Sequence, residues 1–310
     1  MKILTLLAAW TRMIRLPILF LCCFGAVVGA LNAAVYLNVE VSLFQIFMLI
    51  IAPAFLSVGT MIHNDVTDLK SDKVNRPYKP IPAGIIKEKT AYYMGLFLIF
   101  ASLLASLFIN IYETGELNLN CTILTGLLVA VSIYYNYSGK YHGILGHMSV
   151  AFAVGAIPYW GSIAIFPNEL FLMLPIAVAL FFLEVGREIM VCVGDYHGDV
   201  KAGFKTTPVR HGRKRSMHIA LLFYLAFIPL YPLPAFDWTG LGVPKVFGSL
   251  YLIGGGLLAI TLVLTWLLSY VELLKGDEKN IWKAFERYER TGTRVMIIVF
   301  QIFILLEVFY

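Results

Sequence analysis

Nine apolar stretches recur along the 310 residues, each close to the roughly 20 residues that a helix needs to span a hydrocarbon core. They run approximately over 16–37, 42–63, 91–111, 119–137, 145–166, 170–194, 216–233, 245–270 and 294–310. Only 14% of the residues are charged, against roughly 25% in an ordinary soluble domain, and 59% are apolar or aromatic. An all-α, polytopic membrane protein of nine transmembrane helices is expected, built as a single domain over 1–310. The first stretch is too long for a signal-peptide core and shows no small-residue cleavage site, so it is expected to remain as a helix.

Charge placement orients this bundle. The connection 64–90 carries Lys70, Lys73, Arg76, Lys79, Lys87 and Lys89, and 195–215 carries Lys201, Lys205, Arg210, Arg213, Lys214 and Arg215. Lys2, Arg12, Arg15, Lys140 and the basic residues of 275–294 fall on the same side. Of the 24 Lys and Arg residues, all but Arg187 and Lys245 belong to that side, while the opposite loops hold Glu40, Glu113, Glu116, Glu169 and Asp237. By the positive-inside rule the N-terminus is cytoplasmic. Segment 271–291 is too polar to span; Ile281, Trp282, Phe285 and Tyr288 recur at helical spacing, so it is expected as a helix lying on the cytoplasmic membrane surface or an exposed connector. The four cysteines form no Cys-x-x-Cys pair and are expected to pack as small core residues.

Two carboxylate clusters break the apolar pattern: Asn64-Asp65-x-x-Asp68-x-x-x-Asp72 and Asp195-x-x-x-Asp199. At about 3.6 residues per turn, 64, 68 and 72 share one helical face, as do 195 and 199. Each cluster ends an outside-to-inside helix, the second and the sixth, and an offset of four helices makes this a parallel repeat of two halves. Carboxylates at membrane depth are costly and mark function by default. Oxygen donors of this kind suit Mg2+, which takes one or two carboxylates plus phosphate oxygens. The flanking bases supply counter-charge for a diphosphate. Arg187, inside a span with Glu184 at i−3 and Glu188 adjacent, is either a functional group or a self-compensated structural network.

The run from Asn64 through Lys73-Val74-Asn75-Arg76-Pro77-Tyr78-Lys79-Pro80-Ile81-Pro82-Ala83-Gly84 resembles the first signature of the UbiA superfamily of intramembrane prenyltransferases. Asp195-x-x-x-Asp199-Val200-Lys201-Ala202-Gly203-Phe204-Lys205-Thr206-Thr207-Pro208 resembles the second, and the likeness covers essentially the whole chain. It implies a helical bundle around a central cavity capped by the motif loops. Asn64, Asp68, Asp72, Asp195 and Asp199 would hold the Mg2+–diphosphate, with Asp65 a weaker member. Arg76 and Lys140 would contact the diphosphate, with Lys73 and Lys201 as further cations, Tyr135 beside Lys140 and Arg15 lining the pocket. The implied reaction is Mg2+-dependent transfer of a prenyl group from an isoprenoid diphosphate to a lipophilic acceptor, either a quinone-type aromatic or a glycerophosphate lipid.

The nearest branch resembles digeranylgeranylglyceryl phosphate, chlorophyll and homogentisate prenyl-transferring enzymes. Without a plastid-type leader, the cell membrane of a prokaryote is expected. Val191-Cys192 stand where many relatives have Lys-Asp, and His147 replaces a common Asn, which leaves acceptor contacts open. A UbiA-like terpene cyclase would use the same diphosphate site. A cation-coupled transporter is the other class, but its acids belong near the midplane. No nucleic-acid partner is expected, because the basic loops alternate with spans, and no obligate protein partner is evident.

Overall fold

A computed structural model describes residues 3–238, 240 and 244–309, and each of the nine apolar stretches coincides with helix over most of its length. In chain order the elements are α1 (Ile3–Ile14), α2 (Leu16–Leu37), α3 (Leu43–Thr67), α4 (Leu69–Asn75), α5 (Glu88–Phe108), α6 (Ile111–Thr114) and α7 (Leu119–Tyr137). The fifth stretch is broken into α8 (Ile144–Gly155) and α9 (Ile157–Ile165), bent by 41°. There follow α10 (Leu174–Gly194), α11 (Tyr196–Lys201), α12 (Thr207–His211), α13 (Arg213–Leu230), α14 (Ser249–Lys275), α15 (Glu278–Ala284) and α16 (Thr293–Leu306). No strand forms among the described residues.

Among the described residues seven helical segments are long and apolar enough to cross a membrane, and the bent pair α8–α9 makes an eighth. The remaining stretch, α10, is 21 residues long, but Glu184, Arg187 and Glu188 interrupt its apolar surface. Its other residues explain its depth: Leu183, Val185, Ile189 and Val193 are fully buried against Tyr224 and Phe227 of α13 and Leu258 and Leu262 of α14. A second core joins Ala26 and Ala30 of α2, Leu49 of α3, Leu128 of α7 and Trp160 and Ile163 of α9. The Trp160 indole is satisfied there by donating to Thr125 Oγ1 at 2.8 Å. Small residues set the closest crossing: a Cβ on Gly161 would lie 1.9 Å from the Ala26 carbonyl oxygen, and one on Gly29 2.1 Å from that of Pro158.

Both halves are built alike around the motifs. α3 packs most extensively on α5, as α10 does on α13. Asp68 (φ −85°, ψ 0°) ends α3, and Asp195 (φ −86°, ψ 4°) ends α10 in almost the same backbone conformation. A short helix follows each, α4 and α11.

Segment 271–291 departs from the surface helix expected for it. α15 runs through a π-helical stretch, Phe285–Gly292, directly into α16. Ile281, Ala284, Phe285 and Glu289 are buried, so that face of the helix packs against the bundle, while Trp282 is exposed. The expectation used the helical spacing correctly but had no means of telling a protein interior from a membrane surface.

Candidate active site

The two helix breaks aim their carboxylates into one cavity. Across each break the turn-to-turn hydrogen bonding continues: Asp72 N donates to Asp68 O at 2.8 Å, and Asp199 N to Asp195 O at 3.0 Å. The four-residue spacing therefore keeps each aspartate pair on one face, although the helix axis changes. The cavity measures about 1240 Å³ and is walled by α2, α3, α7, α10 and α16. Its polar end holds both motifs, and its other wall is apolar, with Val28, Val150, Ile157, Leu183, Ile297 and Ile304.

Of the residues assigned to the diphosphate site and pocket from the sequence, these line the cavity: Arg15, Asn64, Asp65, Asp68, Asp72, Arg76, Tyr135, Lys140, Arg187, Asp195 and Asp199. Lys73 and Lys201 are exposed and are not among its lining side chains. Buried Asp65 accepts from Arg15 Nη2 at 2.8 Å and from Lys79 Nζ at 3.0 Å, and the same ammonium reaches Asp72 Oδ2 at 2.7 Å. Lys79 gets there because the chain folds back after Arg76: Ile85 N and Ile86 N both bond to Pro80 O, and Gly84 turns at φ +72°, where glycine is unstrained. Arg15 holds its reach from a left-handed backbone (φ 51°, ψ 62°), a conformation rare outside glycine. Asn64 donates to Asn136 Oδ1 at 2.8 Å.

Lys140, on the turn after α7, is ion-paired to Asp68, its ammonium 5.5 Å from the Tyr135 ring centroid and 5.4 Å from that of Phe204. In the second motif Asp195 is ion-paired to Arg290, and Asp199 accepts from Thr206 Oγ1 at 3.0 Å. The charge of Arg76, from the first motif loop, acts on Asp195, so the two motifs face each other. Burial pushes the Asp72 carboxyl up despite Lys79, and pushes Asp195 up against the opposing charge of Arg290. Burial, reinforced by the neighbouring charge of Asp195, pushes Asp199 up to about 7, although the Thr206 hydrogen bond works the other way.

Deeper in the cavity Arg187 bonds Glu184 Oε2 at 2.6 Å and Glu188 Oε1 at 2.5 Å, so one guanidinium is shared between two carboxylates. The two departures noted in the sequence also meet. Cys192 Sγ lies 4.0 Å from His147 Nδ1, and Thr207 N donates to His147 Nε2 at 3.4 Å, tying α8 and α10 to the loop after the second motif. Sequence reasoning missed Arg290 as a site residue. Its i, i+4 relation to Glu286 reads as a solvated pair, and only the docking of Phe285 against Gly194 turns it inward.

The residues fit Mg2+ in a specific way. Among the described residues no three His, Cys, Asp or Glu side chains converge to hold a metal by themselves. Mg2+ needs fewer, because it keeps waters and takes oxygens from substrate phosphates. The donor set is all oxygen, and Arg76, Lys79, Lys140 and Arg290 line the same cavity.

A family model described as UbiA prenyltransferase family matches residues 19–288. The chain belongs to the UbiA prenyltransferase family. It is accordingly an integral membrane enzyme of the prenyltransferase class. Among similar curated proteins, the digeranylgeranylglyceryl phosphate synthase of Methanococcus aeolicus is 28% identical over 94% of this chain and 96% of its own. That of Pyrococcus horikoshii is 30% identical over 71% of this chain and 76% of its own. A UbiA homologue from Archaeoglobus fulgidus solved with GPP and Mg2+ superposes with a TM-score of 0.70 over 97% of this chain and 100% of that one, at 16% identity. The transporter alternative is not favoured by this membership.

Proposed function

We propose that this enzyme transfers a prenyl group from an isoprenoid diphosphate to a glyceryl phosphate lipid, releasing pyrophosphate, at the cytoplasmic face of a prokaryotic cell membrane. The carrying observation is the pair of matched helix breaks that direct Asp68, Asp72, Asp195 and Asp199 into one cavity already lined with cations. The choice of a glyceryl phosphate acceptor over a quinone-type aromatic is supported by the relatives, which bear the name digeranylgeranylglyceryl phosphate synthase. The reading includes nine transmembrane helices, counting α10 and the bent pair α8–α9, with the N-terminus cytoplasmic. The one-sided placement of Lys and Arg supports that orientation. No observation favours a cyclase.

In this mechanism Asn64, Asp68, Asp72, Asp195 and Asp199 would be the oxygen donors for Mg2+. Bound there, the ion supplies Lewis-acid stabilisation of the departing diphosphate. Lys140, Arg76 and Lys79 contribute positive charge to the phosphate oxygens, where charge-assisted hydrogen bonds are strongest. Arg15 holds Asp65 so that Lys79 is shared between two carboxylates. Lys73 and Lys201 act from outside the cavity as part of the basic rim. The Tyr135 and Phe204 rings flank the ammonium of Lys140, and the apolar wall takes the isoprenoid chain and excludes water from the allylic cation. Arg187, paired with Glu184 and Glu188 on α10, braces the helix that ends in the second motif.

The test is turnover by detergent-purified enzyme with Mg2+, isoprenoid diphosphates of several lengths and a monoprenylated glyceryl phosphate, following pyrophosphate and lipid product. Asp68→Ala and Asp199→Ala should each abolish release while the protein stays folded. Full turnover in either variant, or no donor consumed, would sink the assignment.

A further inference from the structure

Arg290 occupies the second motif in a way that the family match does not cover, since that match ends at residue 288. It stands on the π-helical stretch Phe285–Gly292, a geometry that recurs at functional sites. Its guanidinium divides between two carboxylates: Nη2 pairs with Asp195 Oδ2, and Nη1 reaches Glu286 Oε1 at 2.5 Å. The chain is shaped to deliver it. Phe285 is buried on the end of α10, and a Cβ at Gly194 would lie 2.9 Å from the Phe285 Cβ, so the residue before Asp195 must be small for this approach.

The first motif shows the same arrangement with other cations, Lys140 on Asp68 and Lys79 on Asp65 and Asp72. Each motif thus carries positive charge on carboxylates that the proposed mechanism assigns to Mg2+, Asp68 and Asp72 in the first and Asp195 in the second. The Asp195 oxygen held by the guanidinium, Oδ2, is not free to ligate a metal, so ligation through that oxygen, or through both oxygens of Asp195, opens the pair. The freed planar fork then meets the phosphate oxygens, whose spacing it matches in a two-pronged contact. Arg290 keeps some exposure to the cavity, 23% for its side chain, so this exchange needs no repacking of the core.

We propose that Arg290 is a donor-binding residue that neutralises Asp195 before the donor arrives and transfers its guanidinium to the diphosphate when Asp195 ligates metal. This rests on the donor site proposed above and extends that site to the last helical segment of the chain. It makes an unusual demand: Arg290 competes with the metal for Asp195 but cooperates with it once diphosphate is present.

The experiment uses full-length protein in detergent, with inorganic pyrophosphate as the probe. Pyrophosphate affinity at saturating Mg2+ is measured by calorimetry, and the half-point for Mg2+ alone by thermal stabilisation. Arg290→Gln should weaken pyrophosphate binding about tenfold or more, while Mg2+ alone binds as tightly as in the wild type or more tightly. A pyrophosphate affinity within about twofold of wild type overturns the proposal, as does a parallel fall in both affinities, which is what a merely structural clamp gives. Arg290→Lys, which keeps the charge and the pair with Asp195, carries the same test if the Gln variant does not fold, with a smaller loss confined to pyrophosphate. Asp68→Asn separates the two levels of inference. If wild type binds pyrophosphate, Asp68→Asn does not and Arg290→Gln is unchanged, only the role of Arg290 falls; if wild type binds none, the donor site itself falls.

Discussion

Lys140 closes an ion pair with Asp68 across 72 residues of chain, joining the turn after α7 to the end of α3. Both side chains are largely withdrawn from solvent, the lysine at 10% and the aspartate at 20% exposure. Such a pair is strong enough to hold the first motif open to the cavity and weak enough to be replaced by a multivalent ligand.

Lys140→Gln should therefore raise the donor KM by about ten- to a hundredfold, the equivalent of one charged hydrogen bond of roughly 1.5–3 kcal/mol. Lys140→Arg should recover part of that loss. Initial rates of pyrophosphate release at varied donor concentration check it; an unchanged KM in the Gln variant contradicts the role.

The carboxyl of Asp199 gives a pH dependence with a defined sign. It is raised from 3.8 to about 7 in the folded protein, so without ligand the folded state holds this proton longer than the unfolded chain. The contribution of this group to stability is therefore full below about 4 and is lost as pH rises to about 7. Metal binding runs the other way, because ligation needs the ionised form. Mg2+ affinity in the presence of pyrophosphate should rise by up to tenfold per pH unit below 7 and level off above it. Calorimetry between pH 5.5 and 8.5 reads both the slope and the released proton; a flat profile excludes Asp199 from the ligand set.

Much of this site was legible in the chain because charge is scarce in it. An aspartate at the end of an apolar helix has no bland explanation when it recurs with the same spacing four helices later, and Asp68, Asp72, Asp195 and Asp199 stood out for that reason. Lys73 and Lys79 show where such reading stops. Lys73 is adjacent to Asp72, yet neighbours on a helix point about 100° apart, and its side chain is exposed. Lys79 is reached only through a turn whose backbone hydrogen bonds no spacing rule announces. Arg290 was hidden by the same limit, since one amphipathic pattern serves a membrane surface and a protein interior equally. The break at Ala156 between α8 and α9 was likewise read as a single span.

Arg187 makes a stability prediction that separates charge from function. Its side chain is 12% exposed and satisfies Glu184 and Glu188 together. Arg187→Leu takes the guanidinium from buried Glu184 and half-buried Glu188 and should cost about 3–5 kcal/mol. Adding Glu184→Gln and Glu188→Gln removes the uncompensated charge and should restore most of that loss. Thermal unfolding in detergent reads the stabilities. If the triple variant is stable but inactive with every acceptor, the cluster acts on substrate; if it is active, the cluster serves the fold.

The crossing of α2 and α9 can be tested by two glycines with opposite expectations. At Gly161 an added Cβ would fall 1.9 Å from a backbone oxygen of α2, and backbone cannot rotate away as a side chain can. Gly161→Ala must push α9 outward, with an overpacking cost of about 1–3 kcal/mol or more, and it moves the wall that carries Ile157 and Pro158 into the cavity. At Gly126, inside α7, an added Cβ meets nothing within 4 Å. Gly126→Ala should leave stability unchanged or raise it by up to about 1 kcal/mol through helix propensity alone. The two variants are compared by melting temperature in the same detergent. Equal melting temperatures would mean that the two helices do not approach as closely as the Gly29 and Gly161 contacts require.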